Sequence, residues 1–263
     1  MRNRTFFSVA LGSFLAFAAC RPSEPVRLRV ATSANMQFAM QEIVRAFTDS
    51  TGIGVEMVVG SSGKLTAQIR EGAPFHVFVS ADMDYPAALA AEGRTLGPPA
   101  VYTTGRLVCW TSGPEKKLPF GLADLAGNAY RHIAIANPKT APYGRAAVAA
   151  LQHAGVYEQV RTKLVYGESI AQVNQFVRSG AADIGITALS VVVFGETAGE
   201  GQWALVDTTA YPAIEQGVVL LDSPAAILPA ARRFRAFLFS DTVRAHLNRT
   251  GKDRSRSTLP PGR

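Results

Sequence analysis

The chain has 263 residues, 48% hydrophobic and 18% charged, an ordinary globular composition with length for one large or two medium domains, of which two is the better reading. Its formal net charge is +7 with a pI near 9.7, yet the basic residues are scattered except at the C-terminus, so the charge reads as general attraction for anions. No interleaving of aromatic and basic residues marks a nucleic-acid track, and Arg232-Arg233-Phe234-Arg235 reads as the solvated face of a helix with Phe234 buried.

Met1-Arg2-Asn3-Arg4-Thr5, followed by an apolar run over residues 6–19, has the layout of a secretory signal, and the run is short for a membrane span. It stops at Cys20 after Phe17-Ala18-Ala19. That pattern resembles a bacterial lipoprotein signal, in which the cysteine is lipidated and becomes the mature N-terminus, although Phe17 stands where that pattern prefers Leu. Simple cleavage after Ala18, a small-x-small site, is the other reading. Residues 21–25 then form a linker.

Residues 26–31 alternate like a strand. Thr32-Ser33-Ala34-Asn35 interrupts, and Met36, Met40, Ile43, Val44 and Phe47 mark one face of a helix. Glycines at 52 and 54 turn the chain into a second strand, residues 55–59. It breaks into Gly60-Ser61-Ser62-Gly63-Lys64-Leu65 and runs into a helix over residues 65–70. Small residues let the backbone approach a ligand, the serines add hydroxyl donors, and the first N–H groups of the helix favour negative charge, so this stretch reads as an anion socket. A third strand follows over residues 75–80, and Asp82 is placed to cap a helix reaching Ala91.

Two catalytic motifs are excluded at this loop. Val58 stands where a Walker A loop needs Gly and Leu65 where it needs Ser or Thr. Gly60-Ser61-Ser62-Gly63 is one residue too short for a nucleophile elbow. The nearest histidine, His76, belongs to a strand, so Ser61 and Ser62 have no base in sight and no enzyme is expected. His76, His132, His153 and His246 lie far apart without ligand-spaced partners, which argues against a metal centre. Cys109, within Leu107-Val108-Cys109-Trp110, reads as a small buried hydrophobe.

From Thr103 the pattern restarts. Residues 106–110 and 133–136 are strands, and Asn137-Pro138-Lys139-Thr140-Ala141-Pro142-Tyr143-Gly144 is a loop held extended by two prolines before a helix over residues 145–154. Ser169 is the natural N-cap of a helix carrying Ile170, Val173, Phe176 and Val177 on one face. Strands at 182–187, 203–206 and 217–221 and helices at 224–239 and 241–249 complete the fold. Strands alternating with helices predict parallel sheets whose ligands bind beyond the strands' carboxyl ends. The tail, residues 250–263, reads as disordered.

Four segments together resemble the periplasmic molybdate-binding proteins, the solute receptors of molybdate ABC importers. They are Ala34-Asn35; Gly60-Ser61-Ser62-Gly63-Lys64-Leu65 with Gly72-Ala73-Pro74-Phe75; Asn137-Pro138 with Ala141-Pro142-Tyr143-Gly144; and Glu168-Ser169-Ile170 through Ala182-Asp183-Ile184-Gly185. The resemblance implies an α/β type II periplasmic binding protein with two lobes joined by two crossovers, residues 26–104 with 214–249 in one lobe and 105–213 in the other. It implies an extracytoplasmic, periplasmic receptor, monomeric, without cofactor, that captures molybdate or tungstate and delivers it to a membrane permease. Carried over by position, the oxyanion contacts are Asn35, Ser62, Tyr143 and the backbone N–H of Ile170, with Ala34 and Ser61 beside them. Ala188 stands where some members carry a Tyr, and Ala34 where others carry Thr. The alternative is a receptor for another tetrahedral oxyanion, such as sulfate, thiosulfate or a phosphonate.

Overall fold

The computed structural model of the protein describes residues 27–113, 117–194 and 198–252. The signal segment, Cys20 and residues 253–263 of the tail lie outside the described residues. In chain order the first elements are β1 (Leu28–Ser33), α1 (Gln37–Thr51), β2 (Val55–Gly60), α2 (Ser62–Arg70), β3 (Val77–Val79), α3 (Asp84–Ala91) and β4 (Ala100–Gly105). Next come β5 (Leu107–Thr111), β6 (Ile133–Ala136), α4 (Pro142–His153), α5 (Tyr157–Val160), β7 (Leu164–Gly167), α6 (Ile170–Arg178), β8 (Ile184–Ala188), α7 (Leu189–Val193) and β9 (Gln202–Leu205). The chain then returns through β10 (Ile214–Leu220), α8 (Leu228–Leu238) and α9 (Asp241–Lys252). Residues 250–252, read from the sequence as the start of a disordered tail, instead continue α9, because adding a residue to a formed helix costs little once the first turn exists.

Two five-stranded sheets divide these strands, in the orders β2-β1-β3-β10-β4 and β7-β6-β8-β5-β9. The expectation of parallel sheets needs correction: both are mixed. β1 runs parallel to β2 and β3, and β6 parallel to β7 and β8, but β10 is antiparallel to β3 and β4, and β5 antiparallel to β8 and β9. The antiparallel pairs arise where the chain passes from one sheet to the other. β4 ends at Gly105, β5 begins at Leu107, and β10 brings the chain back beside β4. The result is the bilobed fold of a type II periplasmic binding protein, with the carboxyl ends of β1, β2, β6 and β7 delivering loops between the halves.

The helices form where apolar residues recur at helical spacing. In α1, Ala39, Met40, Ile43 and Phe47 are buried, and Gly52 ends the helix with φ 72°, its N–H bonded to the Thr48 carbonyl, a left-handed closure that glycine adopts without a Cβ penalty. Phe47 meets Phe234 of α8 edge-on at 5.1 Å, joining the first and last parts of the chain in one core. A second core gathers Trp110, Ile133, Ile135, Val173, Ile184 and Ile186 about the other sheet. Burying each such side chain is worth roughly 1.5–3 kcal/mol.

Candidate functional site

The site grows from the edge where strands end. β1 runs on through Thr32 and Ser33, two residues the sequence assigned to a loop, and a single turn of 3-10 helix, Ala34–Met36, follows. Ser33 and Asn35 are buried, and the Ser33 hydroxyl has no hydrogen-bond partner among the described residues. A buried hydroxyl left unpaired costs about 1–3 kcal/mol, so such an atom in a cleft marks a place for a ligand. Ala34 lies among the apolar side chains of the second half and brings no side-chain donor.

α2 starts three residues earlier than the periodicity of its apolar face indicates. Ser61 is its N-cap in extended conformation, without a side-chain cap bond, and Ser62 is its first residue. The Ser62 hydroxyl is fully buried and accepts a 2.9 Å bond from the Ala81 N–H. Its proton therefore remains to be donated, and the accepted bond holds the oxygen in place. Lys64 points away: its Nζ meets Glu168 Oε2 at 3.2 Å, and both side chains are more than half exposed.

From the second half, Tyr143 is likewise inside a helix rather than in the loop before it, as the second residue of α4 after Pro142, a proline suited to that first helical position. Burial, and next to it the neighbouring Tyr211, push the Tyr143 hydroxyl well above the usual phenol range, while a hydrogen bond from the Asn35 side chain works the other way. The phenol thus stays protonated and remains a donor. Ile170 opens α6 behind Ser169, whose backbone is extended and whose side chain makes no cap bond; the first N–H groups of a helix have no partner inside it. α6, which Ile170 opens, packs on the Ala34–Met36 turn that carries Asn35.

Contacts between the halves bring these segments to one space. The Gly63 N–H donates to the Thr140 carbonyl at 2.9 Å, a Cβ at Gly63 would stand 2.9 Å from that oxygen, and the Ser190 hydroxyl donates to the Asn35 carbonyl at 2.6 Å. Arg145 of α4 forms an ion pair with Asp82, and its guanidinium lies 5.4 Å from the centre of the Tyr85 ring. Asp82 also accepts from the Ser80 hydroxyl and the Tyr85 N–H, so it does cap α3, although the capping position itself belongs to Met83. Ala188, at the end of β8, is fully buried and offers no hydroxyl. His76 accepts from the Arg29 N–H through Nδ1 at 2.8 Å, a structural role.

Sequence reasoning missed Gln216 and Tyr102. Gln216 is buried on β10, accepts from Asn35 Nδ2 at 2.8 Å and donates from Nε2 to Tyr143 Oη at 3.4 Å. Tyr102 Oη donates to the same Gln216 oxygen at 3.3 Å. The signal was present: in Ile214-Glu215-Gln216-Gly217-Val218 the alternation puts Gln216 on the inward face with Ile214 and Val218, where a polar side chain needs a reason.

The arrangement offers hydroxyls and helix N-termini from two halves. Among the described residues no cluster of three or more His, Cys, Asp or Glu could hold a metal ion, and no helix is long and apolar enough to cross a membrane. The family of bacterial extracellular solute-binding proteins matches residues 28–252. The chain belongs to that family. This solute-binding protein is 42% identical to the molybdate-binding protein ModA of Azotobacter vinelandii, over 83% of this chain and 87% of that one. It is 38% identical to ModA of Rhodobacter capsulatus, over 82% and 84%. A solved structure of the Azotobacter vinelandii periplasmic molybdate-binding protein superposes with a TM-score of 0.80 at 33% identity, covering 86% of this chain and 98% of that chain. Membership of the solute-binding family makes the protein a receptor and not an enzyme.

Proposed function

We propose that the protein captures molybdate or tungstate outside the cytoplasm and delivers it to the permease of an ABC importer. The observation that carries this reading is the 42% identity to a molybdate-binding protein over most of both chains, and the chemistry of the cleft supports it. A tetrahedral dianion offers acceptors only. Ser62 and Tyr143 bring hydroxyl donors, Ser61 adds another, Asn35 joins them as the contact from the first loop, and Ile170 brings a backbone N–H, while Ala34 shapes the turn. Charge-assisted bonds of roughly 1.5–3 kcal/mol each are enough, after the entropy of association and closure, for about −12 kcal/mol, or nanomolar binding. Residues 26–104 with 214–249, and 105–213, would be the two lobes that close on the anion, as a monomer. Titration of the purified protein with molybdate, tungstate and sulfate tests the reading. Tight and similar binding of the first two with much weaker sulfate is expected; equal affinity for sulfate would assign the protein to the other oxyanion receptors.

The same reading places the protein at a membrane face through Cys20. The apolar run that stops at this cysteine supports lipidation, and a relative from Bacillus subtilis, 28% identical, is described as a putative substrate-binding lipoprotein. Intact mass of the protein from a membrane fraction should show a diacylglyceryl adduct at Cys20; a free N-terminus at Ala19 with unmodified Cys20 would refute the anchor.

A further inference from the structure

Gln216 touches a candidate ligand residue from each half while itself standing on the strand that returns between them. Its oxygen takes the Asn35 amide at 2.8 Å and the Tyr102 hydroxyl at 3.3 Å, so its Nε2 is the end left to face Tyr143 Oη, at 3.4 Å. The backbone is shaped for this. Gln216 pairs with Thr103 and Gly217 with Val101, a register shift that leaves Tyr102 as the extra residue on β4. Bulges of this kind re-aim side chains beside functional sites, and here Tyr102 and Gln216 meet. Gly105 completes the space: a Cβ there would collide with the Tyr143 hydroxyl and lie 3.1 Å from Gln216 Nε2.

We propose that Gln216 is a positioning residue for anion capture: by donating to the Tyr143 oxygen and anchoring the Asn35 amide, it turns the phenol proton toward the ligand. A phenol has one proton and two lone pairs. With the Gln216 N–H directed at the phenol oxygen, the hydroxyl hydrogen is the group that remains for an acceptor, and an oxyanion supplies acceptors only. Without Gln216 the same hydroxyl could rotate and present a lone pair to the dianion. The inference rests on the reading of the protein as a receptor for tetrahedral oxyanions.

Calorimetric titration with molybdate separates the two claims. If the unmutated protein binds no molybdate, tungstate or sulfate, both fall; if it binds and the variants below bind equally well, only the role of Gln216 falls. Gln216→Met keeps the volume and removes the donor, and should weaken binding about ten- to a hundredfold, the reach of one charge-assisted hydrogen bond. Gln216→Glu should weaken it further, because an acceptor at that position draws the phenol proton back and faces the anion with a like charge. In a Tyr143→Phe background, Gln216→Met should cost less than about threefold, since the two residues act as a unit. An equal cost of Gln216→Met in both backgrounds would mean that it only supports the fold, and would overturn the proposal. Should neither Gln216 variant fold, the unmutated protein labelled at tyrosine Cζ carries the test: the Tyr143 signal moves downfield with molybdate if its hydroxyl donates, and an unmoved signal refutes it.

Discussion

Ser62 and Lys64 stand two residues apart at the same helix start and do opposite things. The Ser62 hydroxyl is enclosed and held by the Ala81 N–H, whereas Lys64 spends its charge on Glu168 near solvent. A cation in the first turn of a helix also opposes the helix dipole, so its long side chain gains by turning outward. Ser62→Ala removes the hydroxyl proposed to donate to the anion and leaves the Ala81 N–H without its acceptor. It should cost on the order of 2 kcal/mol in molybdate affinity, and lower the melting temperature of the ligand-free protein as well. Lys64→Ala breaks an exposed pair worth about 0–1 kcal/mol, so its effect on affinity should be smaller and should fade as salt rises past about 0.15 M. Calorimetry of both variants at low and moderate salt decides; greater damage from Lys64→Ala at both salts would mean that the anion is held by ion pairing.

At the scale of elements, helix faces were legible, and so were the starts of α6 and α9, whereas those of α2 and α4 were not. The spacing of Met40, Ile43 and Phe47 identified α1, and that of Val173 and Val177 identified α6, because burial of an apolar stripe is what drives a helix to form. Ser62 and Tyr143 fell outside the expected helices for the same reason: the first turns of α2 and α4 carry glycines, hydroxyls and a proline, chosen by their unpaired N–H groups and not by an apolar face. β4 and β7 were missed outright. Ala100–Gly105 is half-exposed along most of its length and Leu164–Gly167 has four residues, so neither shows the apolar run or alternation of a buried strand. Four of the proposed ligand positions, Asn35, Ser62, Tyr143 and Ile170, were nominated through the family resemblance of their loops. Gln216 was not, because its partners come from β4, α4 and the turn after β1, and only the folded chain brings them together.

Across the whole molecule the two halves are tied at the front of the cleft by Gly63 to Thr140, Lys64 to Glu168, and Arg145 to Asp82. The last of these is the most enclosed, since Asp82 keeps only 13% of its side-chain surface and Arg145 39%. Burial raises the Asp82 carboxyl above its ordinary value and the Arg145 charge is the main influence holding it down. A carboxyl raised by folding takes up its proton more readily in the folded state than in the unfolded chain. Its favourable contribution is therefore complete below the ordinary aspartate value and is lost as pH rises through the folded one. Arg145→Met removes the restraint, so the folded value should climb further and the penalty at neutral and alkaline pH should grow. With solvent reaching Arg145, the added destabilisation at pH 8 should be about 1–2 kcal/mol, short of the cost of stripping the partner from a fully buried pair. At pH 4 the carboxyl can protonate and most of that loss should disappear. Thermal melts of the unmutated protein and Arg145→Met at both pH values give the comparison, and adding Asp82→Asn to Arg145→Met should abolish the difference between them. A loss of equal size at pH 4 and pH 8 would show that Arg145 acts by packing on Tyr85, and that the charge on Asp82 is not what binds the halves together.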